Sequence, residues 1–270
     1  MPSTTHNGFD LTRLREQCRP VAVHFFSRVR STNDYAAKLR RSGELFAPAM
    51  VLTGHQIAGR GRGSNAWWSG RGSLTVTLVF AADEVLSPHQ LPLIAGLCVR
   101  NAVAEISGAE GIQLKWPNDL LFDGRKLAGL LCERVDRADL IGLGLNVNVA
   151  SRDVPRPLRE RVTSLREITG SPMDLTSVLI AIARRLHTTL SRRDEQSFRS
   201  VLGEYDRHHA LLGRRVHVTP AAGEVAISGI CEGLDGLGRL LLRNRHTLHR
   251  VIAGHVEFVS KPQMHADERG

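Results

Sequence analysis

Hydrophobic and polar positions change period several times along the chain, and each change predicts an element. Residues 21–29 alternate, with Val21, Val23 and Phe25 on one face, which predicts a strand. The chain then enters Ser31-Thr32-Asn33-Asp34, a helix N-cap signature, followed by a helix from Tyr35 to Arg41 that Gly43 terminates. Further strands are predicted over 49–54 and 73–80; in the second, Leu74, Val76, Leu78 and Phe80 alternate as in a half-buried strand. Leu91, Ile94, Ala95, Cys98, Ala102, Val103 and Ile106 fall at helical spacing up to Gly108. A short strand over 112–116 stops at Pro117. Asp123-Gly124 signals a hairpin and opens the nearly apolar strand 126–131. In the strand over 140–149, Gly142 and Gly144 occupy alternate positions, so one face is bare, as a flat packing partner would require.

Residues 163–209 read as helical, and Leu175, Val178, Leu179, Ile182, Leu186 and Leu190 form one apolar stripe that Asp174 starts. Arg184, Arg185, Arg192 and Arg193 lie on or near its solvated side. Beyond Gly213 the elements shorten. Strands over 215–219, 224–231, 239–243 and 250–252, separated by turns containing Gly233, Gly236 and Gly238, suggest a small β-barrel of about 50 residues. Residues 1–19 hold at most one short helix, and 261–270 reads as a disordered tail. Because strands follow one another by hairpins rather than by regular strand–helix alternation, the expected fold is α+β: a mixed, largely antiparallel sheet with helices on one face. The expected organisation is an N-terminal segment 1–20, a main domain 21–211, a small β domain 212–260 and a tail 261–270.

Composition narrows the function without selecting it. The 270 residues are 42% hydrophobic and 23% charged, ordinary for a globular protein, with a net charge of +9. That charge suits an anionic substrate, an acidic protein partner or nucleic acid. Cys18, Cys98, Cys132 and Cys231 are widely spaced, without a paired motif, so reduced thiols are expected rather than disulfides or a zinc site. The twelve histidines show no metal spacing. The polar N-terminus lacks a signal-peptide core, and no run approaches the ~18 apolar residues of a membrane span. A soluble cytoplasmic protein is expected.

The chemistry concentrates in Gln56-Ile57-Ala58-Gly59-Arg60-Gly61-Arg62-Gly63. Its three glycines can take positive φ and let backbone approach a ligand. Arg60 and Arg62 carry forked, permanent cations suited to phosphate or carboxylate, and successive N–H groups in such a turn form an anion-binding concavity. A solvated basic loop and an arginine-glycine segment binding RNA without order are the competing readings. The loop is not a P-loop, because no Gly-Lys-Ser/Thr follows, and its third glycine falls one residue early for a dinucleotide fingerprint. Trp67 and Trp68 follow in polar surroundings, where an indole could stack on a purine or tether the loop.

Elsewhere Ser31 and Thr32 either cap their helix or present hydroxyls and free N–H groups to a ligand. Lys115-Trp116-Pro117-Asn118-Asp119 is either a plain turn or a place where Asp119 helps hold magnesium between phosphates that Lys115 neutralises. Lys126 opens a buried strand, where most lysines snorkel. There is no nucleophile elbow, catalytic cysteine context or metal-binding histidine pair. Cations, glycine turns, caps and one Asn-Asp pair fit phosphate-group transfer, in which positioning and charge neutralisation do most of the catalysis. A bound substrate carboxylate attacking a nucleotide would need no protein nucleophile.

Taken together, Ser31-Thr32-Asn33, the Gln56 to Arg62 segment, Lys115 to Asp119, Lys126-Leu127-Ala128-Gly129 and Gly142-x-Gly144-x-Asn146 closely resemble the biotin–protein ligases, over about residues 21–149. The resemblance implies the biotin–lipoate ligase catalytic domain, similar to class II aminoacyl-tRNA synthetases, with a C-terminal SH3-like barrel. It implies that biotin and ATP give biotinyl-5′-adenylate and pyrophosphate, and that a lysine of a biotin carboxyl carrier domain then attacks the adenylate. Ser31, Thr32 and Asn33 would line the biotin pocket, with Gln56, Gly59 and the backbone of Arg60, Gly61 and Arg62 closing on it. Arg62 would face the adenylate phosphate and Lys126 the biotin carboxylate. Trp67 would stack near adenine. Lys115, Asn118, Asp119 and Asn146 would serve the ATP and Mg2+ side, with Asp119 as the metal ligand, and Gly142 and Gly144 would be among the cofactor-binding residues.

The chain departs from that family pattern at Asn65, where a basic residue is common; Arg71 is the nearby substitute. The 30 residues before Ser31 are too few for the DNA-binding domain of many relatives, so repressor activity and specific DNA binding are not expected. A monomer or homodimer is expected. The rival readings are a lipoate- or octanoyl-transferring enzyme on the same scaffold, and a nucleic-acid-binding protein with steep salt dependence.

Overall fold

The computed structural model describes residues 5–191, 195–219, 225–245 and 247–259. The chain divides into two compact units, Met1–Ala210 and Leu211–Gly270. In the first, a hairpin of β1 (Thr5–His6) and β2 (Phe9–Asp10) leads into α1 (Leu11–Gln17), which the Asp10 carboxylate caps by accepting from the Arg13 N–H at 3.0 Å. There follow β3 (Ala22–Phe26), α2 (Thr32–Arg41), β4 (Ala49–Thr53), the small ribbon β5 (Gly59–Arg60) and β6 (Ala66–Trp67), then β7 (Ser73–Ala81) and α3 (Leu91–Ser107). After α3 come β8 (Gln113–Lys115), β9 (Asp119–Phe122), β10 (Arg125–Val135) and β11 (Ala138–Asn146). Two 3-10 turns, Ser151–Asp153 and Arg156–Leu158, precede α4 (Leu165–Thr169), α5 (Leu175–Leu190) and α6 (Glu195–Arg207).

Seven strands form one sheet in the order β3-β4-β7-β11-β10-β9-β8, antiparallel throughout except for the parallel pair β3–β4, which α2 connects. The β9–β10 hairpin turns on Asp123 and Gly124, whose φ values of 49° and 73° are the two left-handed positions that a two-residue turn of this hand needs. The helical stretch expected over 163–209 is three helices. Gly170, at φ 75°, ends the first in the left-handed region, and Asp174 starts the second by accepting from the N–H groups of Thr176 and Ser177.

Two expectations are corrected. The helices do not all lie on one face. α3 and α5 cover the face carrying Leu74, Val76, Leu78 and Phe80, with Phe80 stacked on His187 of α5. On the opposite face, Ala36, Ala37 and Leu39 of α2 pack against Ala49, Val51, Val79, Ala138 and Leu140. For the same reason β7 is buried on both sides rather than half-buried. Thr75, Thr77 and Val79 are as inaccessible as the leucines between them. Alternation reported one apolar face, and the threonines of the other face looked like solvent positions.

Register does the rest of the positioning. Directly paired residues share a face, and one row crosses the sheet through Thr53, Thr75, Gly144, Gly129, Asp119 and Lys115. The next row runs through Val51, Thr77, Gly142 and Leu131. Both lie on the α2 face: α2 meets the second row at Val51, Thr77 and Gly142, while Trp67 lies on Gly144 of the first.

The second unit is a five-stranded antiparallel sheet: β12 (Arg215–Thr219), β13 (Ile227–Leu234), β14 (Leu240–Asn244), β15 (Thr247–Val251) and β16 (His255–Phe258), in the order β15-β14-β13-β12-β16. β16 was not expected from the sequence, and β13 starts later and runs further than the pattern suggested. Arg192, Arg193, Glu224 and the expected tail lie outside the described residues.

Leu78 is fully buried in an inner strand of the sheet. Leu78→Ala is expected to lower stability by about 2–5 kcal/mol. Urea denaturation measures it, and a loss under about 1 kcal/mol would contradict this packing.

Candidate active site

The bare strand face expected at Gly142 and Gly144 is covered by the protein itself. A Cβ on Gly144 would lie 2.2 Å from the Trp67 indole, and one on Gly142 would lie 2.2 Å from Asn33 Oδ1. Trp67 therefore rests flat on Gly144. Its indole N–H is buried without a hydrogen-bond partner among the described residues.

Beside Gly144 in register is Gly129, and across it lies Lys126. A Cβ on Gly129 would meet Lys126 Nζ at 3.1 Å and Asp119 Oδ1 at 3.3 Å. Strict alternation would put residues 126 and 129 on opposite faces. The β9–β10 register slips between Lys126 and Ala128, so that Leu127 is an extra residue, and this bulge turns Lys126 onto the Gly129 face. The backbone of Lys126 is fixed from the other side: its N–H donates to the Arg161 carbonyl at 2.8 Å and its carbonyl accepts from the Thr163 N–H at 3.0 Å. Nζ ends 2.8 Å from Asp119 Oδ1 and 5.8 Å from the centre of the Trp67 ring.

At the N-terminus of α2 a second group of polar side chains is buried. Ser31 is a cap, its hydroxyl accepting from the Asp34 N–H. Thr32 donates to Gln56 Oε1 through its N–H at 2.8 Å and lies 3.3 Å from it through Oγ1. Asn33 Nδ2 donates to the Leu131 carbonyl at 3.0 Å and to Glu133 at 2.7 Å, while its Oδ1 accepts from Thr77 Oγ1 at 2.6 Å. Thr77 also lies 2.9 Å from Thr32 Oγ1. Thr77 and Glu133 were not found from the sequence. A threonine at the second face of a central strand, and a glutamate in phase with Gly129 and Leu131, are the signals that register makes readable.

The arginine-glycine loop divides its two cations. Arg60 points to protein: Nε is 2.8 Å from Asp34, and a terminal nitrogen is 2.8 and 3.0 Å from the two oxygens of Glu133. Arg62 is half-buried. Burial pulls its pKa below the usual arginine value, with the nearby Asp119 carboxylate and then Cys132 opposing that shift. Of the three glycines that can take positive φ, Gly63 does, at 60°, and Gly59 and Gly61 do not. Gly59 is small for another reason: a Cβ there would meet the Trp67 carbonyl oxygen and Gln56 Nε2. Asn65 closes the loop tip, with its N–H and Nδ2 donating to the Arg62 carbonyl and its own carbonyl accepting from the Gly61 N–H at 2.8 Å. At a position where the family pattern is commonly basic, this chain has a turn former.

Of the remaining sequence candidates, Lys115 stands opposite Asp119 on β8. Asn118 is engaged structurally, donating Nδ2 to the Leu130 carbonyl at 2.6 Å. Asn146 is buried; Nδ2 donates to the Thr163 carbonyl at 3.1 Å and Oδ1 has no partner among the described residues. Burial pushes the Cys18 and Cys98 thiols up to about 11 and Cys132 higher still, so these thiols are protonated near neutrality. Among the described residues no group of three or more His, Cys, Asp or Glu is arranged to hold a metal. No described helix is long and apolar enough to cross a membrane.

Residues 25–149 match the model of the biotin/lipoate A/B protein ligase family. The biotin–[acetyl-CoA-carboxylase] ligase of Paracoccus denitrificans is 30% identical over 225 residues, covering 80% of this chain and 92% of that protein. The bifunctional ligase/repressor BirA of Bacillus spizizenii is 30% identical over 218 residues, covering 77% of this chain but 66% of its own length. Among solved structures, the Aquifex aeolicus biotin protein ligase in complex with biotin and ATP superposes with a TM-score of 0.80 at 28% identity, covering 88% of this chain and 99% of that one.

A methyl group on Gly144 cannot coexist with the indole as placed. Gly144→Ala is expected to expel Trp67 into water and shift the tryptophan emission to the red, and the shift should be absent in a Trp67→Phe background. An unchanged emission spectrum in Gly144→Ala would contradict the stacking of Trp67 on this glycine.

Proposed function

We propose that this chain, which belongs to the biotin–protein ligase family, activates biotin with ATP to biotinyl-5′-adenylate and transfers biotin to a lysine of a biotin carboxyl carrier domain. The observation that carries this reading is the convergence of Lys126, Asp119 and Trp67 on a floor made by Gly129 and Gly144, with Arg62 within electrostatic reach of Asp119. In the first step a carboxylate oxygen of biotin attacks the α-phosphorus of ATP, and pyrophosphate leaves. In the second, the ε-amine of the acceptor lysine attacks the carbonyl of the mixed anhydride, and AMP leaves. Neither step needs a nucleophile from the protein. Both build negative charge around phosphorus or the acyl oxygen, and fixed cations in a partly dry site lower the energy of that charge.

Lys126 takes the biotin carboxylate, because its ammonium is held above bare backbone where a substrate group can approach. Arg62 takes the phosphate of the adenylate. Its partial burial strengthens that interaction relative to a cation in water. Trp67 supplies an aromatic wall for a ring system, as the adenine assignment requires. Thr32, Asn33 and Gln56 line the biotin side, and their groups are already fixed by mutual hydrogen bonds, with Ser31 holding the start of the helix behind them. Lys115, Asn118, Asn146, Gly142 and the loop residues Gly59, Arg60 and Gly61 complete the ATP side and the cover. For Asn146 the support is a buried oxygen awaiting a donor. For Asn118 it is weaker, because its amide nitrogen is already committed to backbone.

Asp119 offers a single carboxylate in contact with Lys126. That fits magnesium carried by the ATP phosphates and completed by water, the common arrangement for this ion, rather than a resident metal cage. When bound, the ion would neutralise phosphate charge. The five antiparallel strands of the second unit, with β16 pairing beside β12 at one edge, support the SH3-like barrel assignment. The sheet of the first unit supports the class II synthetase-like one.

Biotin-dependent exchange of labelled pyrophosphate into ATP is the direct test of this reading, with lipoate in place of biotin as the control. Exchange that needs biotin is the expected result; its absence in folded protein, or equal exchange with lipoate, overturns the assignment. Arg62→Gly is expected to release the adenylate into solution and to label lysines of bystander proteins broadly. Labelling no broader than that of the wild type would remove Arg62 from the phosphate.

A further inference from the structure

Glu133 lies outside every motif that pointed to the site, yet its carboxylate holds two parts of it together. One oxygen accepts from Asn33 Nδ2 at 2.7 Å, and both accept from Arg60 at 2.8 and 3.0 Å. Arg60 belongs to the loop strand β5, and its Nε reaches Asp34 in the first turn of α2. Asn33 belongs to the biotin-lining group. Its amide is oriented by acceptors on one side, the Leu131 carbonyl and Glu133, and by the Thr77 hydroxyl on the other. Turned over, the Asn33 oxygen would face two acceptors and its NH2 would face a hydroxyl that Thr32 can satisfy instead. Glu133, with the Leu131 carbonyl and Thr77, therefore fixes which way Asn33 points, and it is the same group that holds the loop down.

The circuit closes on itself. From Glu133 it passes through Asn33 to Thr77, then through Thr32 to Gln56 Oε1, and Gln56 lies four residues before Arg60 on the same limb of the loop. Both ends of that limb are thus tied to the start of α2, one by neutral hydrogen bonds deep in the fold and one by a charged clasp nearer the surface. The Glu133 and Arg60 side chains retain 32% and 42% of their exposure, so the clasp sits where water can compete and the loop can open. The neutral end is buried and stays made.

We propose that Glu133 is a positioning residue which couples closure of the arginine-glycine loop to the setting of Asn33 in the biotin pocket. The clasp it makes with Arg60 slows escape of the adenylate. The inference rests on the ligase reading above. When Arg60 leaves, Glu133 loses its charged partner and Asn33 loses a rigidly held acceptor, so an open loop goes with a less ordered pocket. When the pocket is filled and Asn33 is fixed, the carboxylate is held in place for Arg60. Arg60 is thereby separated from Arg62: one cation closes the loop, the other meets the phosphate.

The test compares wild type, Glu133→Gln, Arg60→Gln and the double variant as full-length chains. Two quantities are measured: the rate at which preformed biotinyl-5′-adenylate leaves the protein, and the KM for biotin against kcat in pyrophosphate exchange. Each single variant is expected to release adenylate roughly three- to tenfold faster, the range of a half-exposed ion pair with an added charged hydrogen bond. The double variant should be no faster than the quicker single, because one clasp is lost in all three. In Glu133→Gln the KM for biotin should rise by a larger factor than kcat falls; a general loosening of the fold would lower kcat and the thermal midpoint together. Arg60 is exposed, so Arg60→Gln carries the release measurement even if Glu133→Gln does not fold. Release at the wild-type rate in both singles, or effects that multiply in the double, overturns the coupling while leaving the ligase assignment standing. A wild type without biotin-dependent exchange overturns both.

Discussion

An inserted residue in one strand decides where the charged chemistry of this protein sits. Without the bulge at Leu127, Lys126 would face α3 and the apolar layer, where an ammonium has no counter-charge and a heavy desolvation cost. With it, Lys126 shares a face with Asp119 and Gly129 and lies across bare backbone. The bulge is in turn held by the 161–163 segment, which pairs with the Lys126 backbone and leaves the lysine little freedom to return to the regular register. Everything else in the site takes its position from that face: the row from Thr53 to Lys115, the two glycines, and the indole that one of them admits.

Much of this was legible in the sequence, and what was not has a common cause. The N-cap at Ser31, the left-handed stops at Gly43 and Gly108 and the Asp123-Gly124 turn are local features, and local rules read them correctly. The missing side chains at Gly142 and Gly144 signalled a close partner, but sequence could not say that Gly144 admits Trp67, some 77 residues away, and Gly142 admits Asn33. Thr77 and Glu133 escaped because their meaning depends on pairing. Each is unremarkable in its own strand and becomes part of the site only when register sets Thr77 beside Gly142, and Glu133 in phase with Gly129. At Gly59 a long-range demand is hidden in the same way: the Trp67 carbonyl and Gln56 approach there, a steric need that looks identical in sequence to a need for positive φ.

The two loop arginines illustrate how little spacing alone fixes the role of a charge. Residues 60 and 62 are two apart on a short ribbon and would be expected to share an environment. Asn65 pins the loop tip by bonding back to Arg62 and Gly61, and the chain at that point leaves regular strand geometry, so the two side chains diverge. Arg60 meets two carboxylates near the surface. Arg62 is half-buried, where burial disfavours its charge and the nearby Asp119 carboxylate opposes that shift. A cation whose charge is disfavoured by burial gains when a phosphate binds beside it, because the anion offsets part of that cost.

The same logic explains why the site contains no reactive nucleophile. Cys132 lies within electrostatic reach of Arg62, which would favour a thiolate, yet burial and the neighbouring Asp139 and Glu133 carboxylates push its thiol well above neutrality. In the proposed reaction, a thiolate beside the activated acyl group would compete with the acceptor lysine and trap it as a thioester. Holding the thiol protonated and behind the sheet avoids that side reaction, which in this reading leaves the acyl phosphate only water and an incoming amine as partners. Water is then the remaining competitor, and the physical burden on the fold is to cover an anhydride bond while leaving one route for a lysine. A ribbon tied at its buried end by neutral hydrogen bonds and at its exposed end by a clasp that water can open meets both demands, since it can lift at the clasp while its buried hydrogen bonds stay made.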